Sequence, residues 1–130
     1  MGIDRKALIR EYRETPRPMG VFRVHNTVDD RSLVGSTMDL PAMLNRQRAQ
    51  LRFGGHKNRE LQRDWNRLGE GAFEFEVLDT LAPADPPDTR AAAKDLEVLE
   101  QLWLERLQPF GERGYHRAPP AAGAQGAQVL

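Results

Sequence analysis

The sequence predicts an α+β domain built on a small, three-stranded, mainly antiparallel sheet flanked by helices. Three observations lead there. Residues 19–36, "MGVFRVHNTVDDRSLVGS", read as two short apolar strands around a polar turn. Residues 72–81, "AFEFEVLDTL", alternate Phe73, Phe75 and Val77 with Glu74 and Glu76, the period of two expected of a half-buried strand. The segments around them carry helical start and stop signals. At 130 residues and 39% apolar content the chain can bury one core, so a single domain is expected.

Taken in order, the first element is a helix over about residues 4–13, where Ala7, Leu8 and Tyr12 make a weak apolar face and "TPRPMG" ends it. Strands follow over 19–26 and 31–36, with "TVDD" as the turn between them. A helix over 39–53 starts with Asp39 as its N-cap and Pro41 in its first turn, and stops at Gly54 and Gly55. "NRELQRDWNRL" is a further helix ending at Gly69. Residues 82–88, "APADPPD", read as a loop, and 89–107 as the last helix. "RAPPAAGAQGAQVL" has little to bury. The expected division is an N-terminal helix and linker over 1–18, the domain over 19–117 and a disordered tail over 118–130.

The chain carries 19 basic and 19 acidic residues, distributed unevenly. Residues 40–67 hold seven Lys/Arg against two Asp/Glu, whereas residues 69–105 hold two against ten. Such asymmetry speaks of partners more than a zero net charge does. The absence of cysteine excludes disulfides, thiolate metal sites and cysteine nucleophiles, and fits a reducing compartment. No apolar run approaches a membrane span and "MGIDRKALIR" is charged, so a cytoplasmic protein is expected.

Within the last helix Glu100 stands one turn after Leu96, about 40° around the axis and inside the apolar stripe with Leu99, Trp103 and Leu107. A carboxylate there is either a structural ion pair, with Arg23 or Arg46 for instance, or a site residue. Gln47 lies in the apolar stripe of the helix over 39–53 and also asks for a partner; a core glutamine bonded to backbone is the plainer reading. Arg46, Arg48 and Arg52 flank that stripe. Arg59, Arg63 and Arg67 recur every four residues on the next helix, a pattern shared by solvated faces and by phosphate-tracking surfaces. His25, His56 and His116 show no metal-ligand spacing, which argues against a histidine-based zinc site.

In this order the residues resemble the GIY-YIG nuclease superfamily. "GVF" at 20–22 and "LVG" at 33–35 stand at the two tripeptide motifs, and the likeness continues through "GGHKNRELQRDWNRLG", "FEFEVLDTL", "LEQLWLERLQP" and "GYHRA", over about residues 19–117. The resemblance implies a small domain on a three-stranded antiparallel sheet that cuts phosphodiesters with one divalent metal, Mg²⁺ or Mn²⁺. It implies Glu100 as the metal ligand, Gly20 and Gly35 as motif glycines, and His56, Asn58 and Gln62 as polar positions near the site. The expected catalytic positions are Phe22, Leu33, Arg46 and His56. Phe22 and Leu33 replace the two motif tyrosines, Met43 the arginine, Gln47 a histidine and His116 an asparagine. Phe22 and Leu33 cannot exchange a proton, and Met43 offers no charge to a phosphate. Arg46, one turn beyond Met43, is the replacement cation, and Tyr12, His56 and His116 are the remaining candidates for proton transfer.

The leading expectation is therefore a nucleic-acid-binding domain of this type with Arg46, Arg48, Arg52, Lys57, Arg59, Arg63 and Arg67 on its binding face. Any endonuclease activity would run through a rewired site with a single ion at Glu100. The alternative is a catalytically inactive fold used as a protein-interaction or regulatory module.

Overall fold

The computed structural model describes residues 17–83 and 86–117. The helix expected over 4–13 and the tail expected over 118–130 lie outside them. Strands β1 (Met19–Asn26) and β2 (Arg31–Thr37) form an antiparallel hairpin closed by the pair Asn26 and Arg31. The "TVDD" turn is built by Asn26, whose Oδ1 accepts from the backbone N–H groups of Val28 and Asp29, each at 3.0 Å. This is the Asx geometry that competes well against continued strand. Asp30 leaves the turn in the left-handed region, at φ 55°.

Strand β3 (Phe73–Leu81) pairs antiparallel with the other side of β1, giving the order β2-β1-β3. Phe22 faces Val77 but Val21 faces Asp79, so Leu78 is an inserted residue, a β-bulge. Two consequences depart from the simple alternation. Val77, expected to point inward with Phe73 and Phe75, is 48% exposed, because it lies beside the bulge on an edge strand. Beyond the bulge the parity flips: Asp79 turns to the opposite face of the sheet, where its Oδ2 accepts from Trp103 Nε1 at 3.1 Å.

Three helices complete the fold: α1 (Leu40–Phe53), α2 (Arg59–Leu68) and α3 (Thr89–Leu107). Each opens on a side-chain cap, with Asp39 in the role expected of it. Asp39 accepts from the Ala42 N–H, Asn58 from that of Leu61, and Asp88 from those of Arg90 and Ala91. Helix α1 ends at Gly54, whose φ of 86° is open to glycine at little cost and whose N–H reaches the Gln50 and Leu51 carbonyls.

The main core lies between one face of the sheet and α1 and α2. Phe22, Val24 and Phe73 meet Leu40, Leu51, Leu61, Trp65 and Tyr115, all buried. Trp65 packs tilted against Phe73 and edge-on against Phe75, with ring centroids 5.2 and 6.2 Å apart. Helix α3 covers the opposite face, chiefly over β2 and β1, where Val21, Val34 and Leu96 are buried. Among the described residues no helix is long and apolar enough to cross a membrane.

The chain after α3 returns to the free edge of β2. Tyr115 N–H donates to the Ser32 carbonyl at 3.0 Å, and the Val34 N–H donates to His116 Nε2 at 2.8 Å, so edge groups that would otherwise face outward are satisfied. Tyr115 carries its ring into the core, and its hydroxyl meets two buried partners. It accepts from Asn26 Nδ2 at 3.1 Å and donates to Asp64 Oδ2 at 2.7 Å. Arg31 lies 4.4 Å over the Tyr115 ring while donating to Asp64, Glu60 and the Gly114 carbonyl. Burial pushes the Asp64 carboxyl up, but the Tyr115 hydroxyl, Arg67 and Arg31 together hold it below its ordinary value.

Two outcomes test this hub. Tyr115→Phe removes a hydroxyl that bridges two buried groups and is expected to cost about 1–3 kcal/mol in urea unfolding; a variant as stable as wild type would show the bridge to be dispensable. Because the Asp64 value is depressed on folding, the stability it contributes is present above its unfolded value of 3.8 and is lost as pH falls through the lower folded one. Asp64→Asn, although less stable at neutral pH, is expected to show a shallower loss of stability below about pH 4.

Candidate functional site

The motif positions are set by the hairpin. Gly35 on β2 faces Phe22 on β1, and a methyl group at Gly35 would sit 2.8–2.9 Å from the Phe22 ring. The glycine is thus required by the close approach of an aromatic side chain from the neighbouring strand. Phe22 is 4% exposed within the main core, and Leu33 and Met43 pack partly buried against the same cluster. The three positions where the resemblance implies two tyrosines and an arginine are apolar packing positions here.

Glu100 lies on the other side of the sheet. Leu96, one turn earlier, is buried and anchors α3, which leaves Glu100 half-buried beside β2. Its Oε1 accepts from the Ser36 hydroxyl at 2.6 Å. Ser36 was not among the expected site residues; the signal for it was a hydroxyl directly after the motif glycine. Neither expected ion pair forms: Arg23 makes a two-pronged bond to Glu76, and Arg46 is exposed with no partner among the described residues. Glu100 consequently has no cation beside it among the described residues, the condition under which a carboxylate remains free to take one.

His116 is near this carboxylate. Burial lowers its pKa and the Glu100 charge raises it, with burial prevailing, so the ring is held neutral. Its Nε2 accepts from the Val34 N–H, so the ring proton sits on Nδ1. His56 is neutral for a similar reason. Burial lowers its pKa, as does Lys57, against the Asn58 backbone contact that raises it. His56 Nδ1 accepts from the Asn58 N–H at 3.0 Å, which puts the proton on Nε2, and Nε2 donates to Gln47 Oε1 at 2.6 Å. Gln47 therefore finds a side-chain partner instead of the expected backbone one, and its own amide points at Met43 Sδ, 3.5 Å away. Gln62 holds the loop from the other side, accepting from the His56 N–H and donating to the Leu51 carbonyl and to Asn66. Both ring nitrogens of His56 are committed, so in this arrangement it positions the loop and is not a free base.

The arginine rows separate into two groups. Arg52 is gripped by Glu70, Arg67 by Asp29 and Asp64, and Arg48 lies 4.5 Å over the Phe75 ring. Arg46, Lys57, Arg59 and Arg63 are exposed and make no ion pair among the described residues. Lys57, Arg59 and Arg63 line a cavity of about 610 Å³ with Gly54, Gly55 and His56, at the junction of α1 and α2. This cleft is basic, open and walled on one side by two glycines, which lets an extended chain approach the backbone closely.

The two histidine assignments are open to measurement. Long-range proton–nitrogen correlation spectra above neutral pH are expected to show His56 as the Nε2–H tautomer and His116 as the Nδ1–H tautomer, since burial lowers both values and favours the neutral rings. Either ring in the other tautomer would contradict the bonding described.

No family model matches the sequence, and no curated protein matches it. Two solved structures are similar. The catalytic domain of the homing endonuclease I-TevI is 25% identical with a TM-score of 0.62, covering 78% of this chain and 99% of that one. A glutamate-to-alanine mutant of the catalytic domain of intron endonuclease I-TevI is 23% identical with a TM-score of 0.57, covering 70% of this chain and 84% of that one. The chain has a GIY-YIG-like fold, that of a nuclease catalytic domain.

Proposed function

We propose that this chain is a nucleic-acid-binding domain with a rewired, divalent-metal-dependent phosphodiesterase site centred on Glu100. The observation that carries the reading is a half-buried carboxylate, hydrogen-bonded by Ser36 beside the Gly35–Phe22 contact and unpaired by any described cation, on a GIY-YIG-like fold. One carboxylate with water and substrate phosphate suits Mg²⁺ or Mn²⁺, which commonly bind through a single protein ligand of this kind. Such an ion supplies Lewis-acid polarisation of a phosphoryl oxygen.

The chain's own residues divide the remaining work. Ser36 orients Glu100 through its hydroxyl. Lys57, Arg59 and Arg63 hold backbone phosphates along the cleft, a sequence-independent and salt-sensitive attraction. Arg46, one turn beyond the apolar Met43 and exposed without an ion pair among the described residues, is the cation this reading assigns to the phosphate in place of the missing arginine. No described side chain at the motif positions takes a proton from water. The loss of that base and of a built-in charge clamp slows hydrolysis by about 10²–10⁴ each.

A second reading has its own support. Phe22, Leu33 and Met43 are packing residues, as an inactive fold kept for binding a partner would have them. Labelled single-stranded DNA, duplex DNA and RNA incubated with Mg²⁺ or Mn²⁺ separate the two. Slow cutting abolished by Glu100→Gln and by Arg46→Ala is expected; no cutting, or cutting that survives Glu100→Gln, removes the enzymatic half of the proposal. Binding is read separately. Replacing Lys57, Arg59 and Arg63 with alanine is expected to reduce the slope of log K against log salt by about one per cation, and an unchanged slope would remove the binding half.

A further inference from the structure

Strands β1 and β3 assemble a second polar cluster that no spacing in the sequence announces. The antiparallel register sets His25 across from Glu74 and Arg23 across from Glu76, on the face of the sheet opposite the Trp65 core. One ligand atom from each of His25, Glu74 and Glu76 lies within 4.8 Å of the others. The bonding of His25 makes this more than a meeting of charges. His25 Nε2 is 2.9 Å from Asp30 Oδ1, and since the carboxylate can only accept, Nε2 carries the proton. That leaves the lone pair on Nδ1, and Nδ1 is buried with no hydrogen-bond partner. A buried imidazole nitrogen without a partner is uncommon. An imidazole anchored to a carboxylate through one nitrogen and presenting the other is the arrangement found at metal-bound histidines.

We propose that His25 Nδ1, Glu74 and Glu76 bind one zinc-class divalent ion, with water completing its coordination. One imidazole and two carboxylates suit Zn²⁺, which takes nitrogen and oxygen donors in four-coordinate sites, and suit Mg²⁺ poorly because it prefers oxygen and retains its water. Glu76 also accepts from Arg23 Nε and Nη2, at 2.8 and 3.1 Å. Each carboxylate oxygen has two lone pairs, so Arg23 orients Glu76 without exhausting it. The site ties the tip of the hairpin to β3. It is distinct from Glu100, whose partner Ser36 pairs with Val21, four residues and about 13 Å along β1 from His25. Histidine spacing along the chain does not bear on this cluster, whose members come from two strands and are joined by register.

Calorimetric titration of the full chain with ZnCl₂ is expected to show one tight site per chain, with its affinity lowered at least tenfold by His25→Gln and by Glu74→Gln and unchanged by Glu97→Gln, a substitution of an exposed carboxylate. Asp30→Asn is expected to weaken binding by about tenfold, as loss of an orienting partner does. Millimolar Mg²⁺ is expected to leave Zn²⁺ binding unaffected. Should a variant unfold, wild-type nitrogen spectra decide: Zn²⁺ must shift His25 Nδ1 selectively while His56 and His116 stay put. Absence of Zn²⁺ binding, equal affinity in His25→Gln, or a shift confined to the other histidines overturns the proposal.

Discussion

The Tyr115 hydroxyl, held between Asn26 and Asp64, is the contact on which the arrangement of the domain depends. It joins three parts that are far apart in sequence: the hairpin turn, helix α2 and the segment returning after α3. Asp64 is 6% exposed, and a carboxylate so buried demands cations and donors; Arg31, Arg67 and Tyr115 provide them. Arg31 in turn stacks on the Tyr115 ring and bonds the Gly114 carbonyl, so the returning segment is clamped from both sides. Buried networks of this kind are worth most when every member is satisfied.

That clamp determines what surrounds Glu100. With Tyr115 in place, His116 falls on the free edge of β2 and takes the Val34 N–H, which puts a neutral imidazole beside the carboxylate instead of a cation. On the other side of the sheet, close packing has taken the opposite course. Gly35 lets the Phe22 ring lie against β2, and Leu33 and Met43 close over it, so positions suited to polar chemistry in a GIY-YIG-like fold contribute hydrophobic burial. Polar groups lie instead at the margins: Glu100 with Ser36 on one side, and the cations at the α1–α2 junction on the other.

The cations themselves illustrate why a charge pattern is an incomplete guide. Arg52 and Arg67 belong to the same rows as Arg46, Arg59 and Arg63, yet Glu70 and Asp29 neutralise them from other elements, with Asp64 adding a second partner to Arg67 from one turn earlier on α2. The cations without such partners narrow the +5 stretch over residues 40–67 to Arg46, Lys57, Arg59 and Arg63, of which the last three line the basic cleft.

The sequence by itself determined what depends on near neighbours. Asp39, Asn58 and Asp88 cap helices from three or fewer residues away, Asn26 folds its own turn, Gly54 ends α1, and the period of Leu96, Leu99 and Trp103 marks Glu100 as anomalous. The tertiary structure alone decided whom the polar groups meet. Ser36 reaches Glu100 across 64 residues, and one bulge opposite Val21 and Phe22 turns Asp79 toward Trp103 and away from the core. Register alone places His25 beside Glu74 and Glu76. The physical reason is that caps and periodicities are governed by local backbone geometry, whereas the partner of a half-buried charge is selected by the packing of elements whose separation along the chain carries no signal.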